Sequence, residues 1–409
     1  MRLLYSLAIR VYGVFIQIAS LWNPKAKLWV VGHRNQWQKL KPQVEDKSEW
    51  IWFHAASLGE FEQGRPVIEA IKKQHPQYKI LLTFFSPSGY EIRKNYPFAD
   101  QIAYLPLDTM CNARRLIRNY RFKIAIFIKY EFWFNYMKVL EDAHIPHYYI
   151  SVRLRASQHF FKKTSGWFCK QLENIDFFFV QDQSTADLLA KIGYINSIVN
   201  GDTRFDRVAE IAQQAKSFPS IEKFINKRKC IVVGSSWTED EQLFYSFSEK
   251  LPNDFCLIIA PHDISENHIH QIQAQMKLPN VLFSEINAND SYKVLIINSI
   301  GILSQLYQYA YVAYIGGGFK KNIHNIQEAI TYGCPVIFGP NYKNFNEATD
   351  LVQLGGAFAI DNQESFDNVM QRFITDETFR YQASDICKKY VDSQLGATKV
   401  IMNYLENVL

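Results

Sequence analysis

Short apolar runs alternate with longer amphipathic stretches along most of the 409-residue chain. In the first half the runs are WIWFHAA (50–56), KILLTFF (79–85), KIAIFIK (123–129), HYYIS (147–151), DFFFVQD (176–182) and SIVNG (197–201). Their length and β-branched or aromatic content predict buried strands. Helix-length segments such as FEQGRPVIEAIKKQ and STADLLAKIG lie between them, the rhythm of βαβ units and a parallel sheet. The pattern fades over 207–228, a polar stretch holding Pro219, and restarts with CIVVGSSW (230–237), FCLIIAPH (255–262), KVLIINS (293–299), VAYIGGGF (312–319), CPVIFGP (334–340) and AFAI (357–360). The chain therefore reads as two α/β halves joined by a linker, with a final helical stretch free to cross back to the first half. A length above about 250–300 residues also favours two cores over one.

Composition narrows this only slightly. Hydrophobic residues make up 48% and charged residues 21%, as in ordinary globular proteins. Six scattered cysteines without a CxxC pair argue against a disulfide framework or zinc site. A net charge of +5 is too mild to call for nucleic acid, but its distribution is uneven. The first 34 residues carry Arg2, Arg10, Lys25, Lys27 and Arg34 and no acid. Among them lies VYGVFIQIASLW (11–22), too short for a bilayer span of about 20 residues and flanked by Arg10. A signal peptide would need a cleavage site that is not evident. Basic residues interleaved with Trp and Tyr suit a membrane interface; a helix buried against its own domain is the alternative.

The candidate chemistry lies at strand ends. Glu60 follows the first strand in HAASLGE, and Ser57 three residues before it completes a capping-box pattern. Pro66 favours a helix that begins later and leaves Glu60 in a loop, although a helix from Leu58 with a kink at Pro66 is also open. Ser86 and Ser88 follow the second strand, Lys129 and Glu131 the third, Arg153 the fourth, and Arg204 sits in GDTRFDRV. Two carboxylates among several cations suit an anionic ligand; Glu131 beside Lys129 would equally serve as a helix-start acid. In the second half, Gly316, Gly317 and Gly318 end a strand, where backbone N–H groups could approach a phosphate. His324, Asn325 and Glu328 follow at an expected helix start, where Glu328 could accept ribose hydroxyls. Ser235 and His262 end two further strands, and Asn344 follows Gly339 and Pro340. There is no GxxxxGK[ST], and GGGF lacks dinucleotide-binding spacing.

Together, HAASLGE (54–60), TFFSPSG (83–89), YEFW (130–133), NGDTRFD (200–206) and GGGF…HNIQEA…GPNYKNF (316–345) resemble the 3-deoxy-D-manno-octulosonic acid (Kdo) transferases. The resemblance runs over nearly the whole chain. It implies an α/β protein of GT-B fold, with two Rossmann-like domains facing a central cleft. It also implies CMP-Kdo as donor, inverting transfer to a lipid A precursor, and work at the cytoplasmic face of the inner membrane, peripheral or monotopic, with no nucleic-acid partner. Glu60 matches the family's essential acid and Glu131 its second; His324, Asn325 and Glu328 match its donor-side pattern. Lys129 stands where the family has an acid, Arg204 where Lys is usual, and His262 where an Arg-bearing stretch is expected.

On this basis Glu60 and Glu131 are the expected catalytic pair. Ser235, His262, Gly316, Gly317, Gly318, His324, Asn325, Glu328 and Asn344 are expected to bind the sugar nucleotide. Ser57, Gly59, Ser86, Ser88, Arg153 and Arg204 are expected to bind the acceptor, with no metal and no cofactor. The expected divisions are a membrane-associating segment over 1–34, an acceptor domain over 35–208, a linker over 209–228, a nucleotide domain over 229–385, and a returning helix over 386–409.

Overall fold

The structure, a computed structural model, describes residues 1–41, 47–158, 161, 166–286 and 292–409. It divides into unit 1, Met1–Asp206 with Gly396–Leu409, and unit 2, Arg207–Leu395.

Unit 1 holds a sheet of β1 (Trp50–Ala55), β2 (Lys79–Phe84), β3 (Gln101–Tyr104), β4 (Phe122–Ile128), β5 (His147–Val152), β6 (Phe177–Val180) and β7 (Ser197–Val199). Its spatial order is β3-β2-β1-β4-β5-β6-β7, and every neighbouring pair is parallel. Helices cover both faces, so β1 and β5 are buried at every position. This explains why they read as unbroken apolar runs rather than as alternations. Trp52 and Phe53 of β1 and Phe127 of β4 are fully buried.

Unit 2 repeats the plan with β8 (Lys229–Ser236), β9 (Phe255–Pro261), β10 (Asn280–Leu282), β11 (Val294–Ile296), β12 (Ala310–Ile315), β13 (Val336–Phe338) and β14 (Ala357–Ala359). The order is β10-β11-β9-β8-β12-β13-β14, again all parallel. In each sheet the winding reverses beside the first strand, between β1 and β4 and between β8 and β12. Such a switch point opens a crevice at the carboxyl ends of the strands.

Two strands were not expected from the sequence, β3 and β10. Both are short edge strands, four and three residues long, paired on one side only. The boundaries also differ from expectation. The stretch 209–228 is not an extended linker: Thr203–Gln213 and Pro219–Ile225 are helical. Pro219 occupies a helix's first turn, where its missing N–H costs nothing. The return to unit 1 comes at Gly396 rather than at 386, because the long helix Glu377–Gln394 stays in unit 2. Gly396 adopts a left-handed φ of 100° and starts the last helix, Ala397–Leu405. There Ile401, Met402 and Leu405 enter the core of unit 1, and Asp206 accepts hydrogen bonds from the N–H groups of Gly396 (2.7 Å) and Thr398 (2.6 Å).

The N-terminal helix, α1 (Arg2–Ala19), is longer than the apolar run 11–22. One face is fixed to unit 1. Tyr5 Oη donates to the buried Asp108 at 2.6 Å, Arg2 donates to Gln171, and Gly13 sits so close to Leu107 that a Cβ would collide. The other face exposes Leu3, Leu4, Leu7, Val11, Val14, Phe15 and Ile18, with Leu21 and Trp22 beyond the helix end. After it, α2 (Pro24–Arg34) is capped by Asn23.

Candidate active site

In unit 1, α3 (Leu58–Gln74) begins directly after β1 and runs through Pro66. Glu60 thus lies in the first helical turn, not in a preceding loop. Its Oε2 accepts from the backbone N–H groups of Ala56 (2.7 Å) and Ser57 (3.1 Å). Closing these otherwise unpaired donors holds the early start, while Pro66 forfeits only one hydrogen bond further along. Glu60 is buried. Burial and the neighbouring Glu131 carboxylate push its pKa up to about 7, against Lys129 and the two N–H groups, which pull it down. A carboxylate in this range can take up and release a proton near neutrality.

Across the switch point, Lys129 follows β4 in a left-handed conformation, φ 66°. Burial lowers its pKa and the Glu60 charge raises it, with Arg204, Asp202 and Arg153 also acting on it. Glu131 comes within 3.9 Å of His54 Nε2. His54 is fully buried in β1. Its Nε2 accepts from the Trp133 indole N–H at 3.0 Å, which leaves the proton on Nδ1, 2.9 Å from Thr83 Oγ1. Thr83 Oγ1 also accepts from Trp52 Nε1 and donates to the Phe53 carbonyl. This chain, strung across β1, β2 and the loop after β4, sets the wall on which Glu131 rests. No role was expected for His54, Thr83 or Trp133, although each stands inside one of the motifs HAASLGE, TFFSPSG and YEFW. Tyr12 of α1 stacks on Phe85, which packs against Trp133, so the N-terminal helix borders this wall.

The expected acceptor residues divide. Ser57 and Gly59 lie at the start of α3, and a Cβ on Gly59 would meet nothing within 4 Å. Ser86 caps the helix Pro87–Arg93 through Ser88 N–H and bonds Ser88 Oγ at 3.0 Å. Arg153 sits 3.5 Å from Asp182, and Arg204 grips the buried Asp202 through Nε and Nη2. Both arginines therefore stand in ion pairs at the same strand ends as Glu60.

In unit 2 two of the three glycine N–H groups have partners within the protein. Gly316 N–H donates to the Gly234 carbonyl (2.9 Å), and Gly317 N–H to Asp240 (2.9 Å). What requires glycine is proximity: a Cβ on Gly316 would lie 2.2 Å from the Ser235 carbonyl oxygen, and one on Gly318 would lie 2.6 Å from the Gly339 backbone. Ser235 itself has a left-handed φ of 53°. Asp240, in α4 (Thr238–Phe247), also binds Trp237 N–H and Tyr314 Oη. Burial raises its pKa against these bonds. Neither Asp240 nor Trp237 was expected in the site, because WTED carries its N3 acid behind a tryptophan rather than behind a Ser or Thr cap.

His262 stacks between Trp237 (4.4 Å between ring centres) and His324 (4.6 Å). Lys320 Nζ lies 3.7 Å over the Trp237 ring, and the Trp237 indole donates to His324 Nε2 at 3.2 Å. Burial and His262 hold the His324 pKa at about 4, so its ring is neutral at physiological pH. The expected helix start at His324–Glu328 shrinks to a single turn, Gln327–Ile330, with Asn325 capping Gln327 N–H and reaching Glu328 at 3.4 Å. One turn supplies little dipole, so the site's polarity comes from side chains. Asn344 bonds Asn322 at 2.7 Å.

The chain is similar to known proteins over most of its length. The family described as 3-deoxy-D-manno-octulosonic-acid transferase (kdotransferase) matches residues 31–207. A 3-deoxy-D-manno-octulosonic acid transferase of Rickettsia typhi is 26% identical over 363 residues, covering 86% of this chain and 78% of that protein. Its counterpart in Haemophilus influenzae is 25% identical, covering 88% and 87%. Among solved structures, the UDP-GlcNAc 2-epimerase of Neisseria meningitidis superposes with a TM-score of 0.62 at 15% identity, over 88% of this chain and all (100%) of that one. MurG of Acinetobacter baumannii gives 0.57 at 10% identity, over 88% and 99%. These structures share the GT-B fold of two Rossmann-like halves. Residues 31–207 thus match the 3-deoxy-D-manno-octulosonic acid (Kdo) transferase family, and most of the chain is similar to transferases of that kind.

Proposed function

We propose that this protein transfers Kdo from CMP-Kdo to a lipid A precursor, with inversion, while resting on the inner-membrane surface. The observation that carries the reading is Glu60, a buried carboxylate at the switch point of unit 1, fixed by two backbone N–H groups and with its pKa near 7. Ionised Glu60 takes the proton of the attacking sugar hydroxyl. The new glycosidic bond forms as the bond from Kdo to the CMP phosphate breaks, and CMP departs as the anion. A phosphate leaving group needs little protonation, so one base suffices on the acceptor side. Lys129, Arg153 and Arg204 supply positive charge for the acceptor's phosphates, and Glu131, on its His54 wall, orients the acceptor. In unit 2, the Trp237–His262–His324 stack, Lys320, Asn325 and Glu328 form the nucleotide site.

The exposed apolar face of α1 and the residues Leu21, Trp22, Leu28 and Val31 support the membrane contact. A helix hydrogen-bonded to its own domain along the other face lies in the interface rather than crossing it. The test is mass spectrometry of the lipid after incubation of purified protein with CMP-Kdo and a lipid A precursor. A product heavier by one or more Kdo residues, with release of CMP, is expected. Turnover of a UDP-sugar with none of CMP-Kdo would overturn the reading. Glu60→Gln is expected to lower transfer by about 10²–10⁴-fold while leaving CMP binding unchanged.

A further inference from the structure

A cavity of about 530 Å³ in unit 1 is lined by none of the residues assigned above to transfer. It is lined by Gln17 of α1, Trp29, His33 and Arg34 of α2, Gln36, and Asn112 at the start of the helix Met110–Asn119. Its volume falls in the range of small-ligand sites. Two polar atoms there are buried without a hydrogen-bond partner, Trp29 Nε1 and Gln36 Oε1. Trp29 is itself only 6% exposed. Native interiors rarely leave such groups unpaired, because each unmade bond costs about 1–3 kcal/mol.

The pairing each group lacks describes the ligand. Trp29 Nε1–H needs an acceptor and Gln36 Oε1 needs a donor. Arg34, exposed at the cavity's rim, has no ion-pair partner among the described residues and offers its charge to an anion there. His33 does not compete, since its two ring nitrogens face the Trp29 carbonyl (2.7 Å) and the Leu105 carbonyl (3.1 Å), an arrangement that pins α2 to the end of β3. Trp29 stacks on this fixed ring with 3.6 Å between centres, so its N–H is held in place. Exposed Val14, Phe15, Ile18, Leu28 and Val31 belong to the same two helices. If those side chains enter the acyl region, the cavity lies at headgroup depth.

We propose that this cavity is a binding site for the headgroup of an anionic glycerophospholipid. Its phosphodiester oxygen accepts from Trp29 and pairs with Arg34, and a headgroup hydroxyl donates to Gln36. The site rests on the membrane reading above and adds to it a lipid-selective contact distinct from the acceptor lipid.

The test uses the full-length protein and flotation with phosphatidylcholine vesicles carrying a fixed fraction of phosphatidylglycerol. Trp29→Phe and Gln36→Leu keep every charge and most of the bulk, and each is expected to weaken partitioning about fivefold, the worth of one hydrogen bond. Arg34→Gln is expected to weaken it further. Tyr381→Phe, on an exposed aromatic of unit 2 outside the cavity, is expected to behave as wild type. Thermal melting identical to wild type confirms that the variants fold. Soluble glycerophosphoglycerol is expected to shift the indole N–H resonance of Trp29 and not that of Trp22. Trp29→Phe and Gln36→Leu floating as well as wild type would overturn the proposal and leave the membrane reading intact. A Trp29 shift given equally by inorganic phosphate, with no vesicle defect in Trp29→Phe, would mark a free-anion site and also overturn it. Wild type that floats with no vesicle overturns both readings.

Discussion

Glu60 carries opposite demands, since burial favours its protonated form and the proposed role as base needs the ionised one. With a pKa near 7, transfer is expected to rise with pH along an acid limb centred there, read from kcat/KM. Lys129 pulls this pKa down, so Lys129→Met is expected to move the limb to higher pH and lower activity at neutrality. The stability effect follows from the same shift. A carboxyl raised from 4.5 in the unfolded chain stabilises the fold fully below that value, and the contribution is lost as pH climbs through about 7. Glu60→Gln escapes that loss, so its melting temperature is expected to gain on wild type as pH rises from about 5 to about 8. Glu60 was legible because a Ser-x-x-Glu pattern after a strand is local. The His54–Thr83–Trp133 chain was not, because its members come from three separate segments that only the sheet order brings together.

Among the elements, runs buried on both faces were readable and singly paired edges were not: QIAY and NVL at β3 and β10 carry too few apolar positions to stand out. Helix starts were harder. Pro66 argued for a late start to α3, yet capping by Glu60 prevails because it closes two donors where proline loses one. The glycine-rich turn after β12 was legible, and the structure adds a steric reason for it. Gly316 is required by contact between strands β8 and β12, whose backbones approach too closely for any side chain. Gly316→Ala meets a backbone carbonyl that cannot rotate away. It is expected to cost about 1–3 kcal/mol of stability, seen in thermal melting, and to abolish CMP binding by displacing Ser235 and Trp237. The apolar character of α1 was evident in the sequence, but its orientation was not. The inward face is the one whose Arg2, Tyr5, Ser6 and Gly13 meet Gln171, Asp108, Asn135 and Leu107.

For the whole molecule, the sequence rhythm predicted two α/β halves, and the structure places their division at Asp206 and Gly396. The last helix matters more to the first unit than to the second. Ile401, Met402 and Leu405 are fully or almost fully buried there, and Tyr404 packs on Phe177 and Phe179. At about 1.5–3 kcal/mol for each large side chain, deletion of 396–409 is expected to remove most of the stability of a typical domain. Limited proteolysis of the truncated protein is expected to degrade unit 1 and spare 207–395.

The carboxylate of Asp206 holds the outgoing chain against the returning one, so unit 2 enters and leaves through a single doorway. In genetic terms unit 2 is a cassette inserted into a host domain, not the second bead of a string. Such a cassette can be excised. A gene splicing residue 206 to residue 396 through a short glycine bridge is expected to yield a folded host that floats with vesicles and ignores CMP, and the excised 207–395 a folded partner that does the reverse.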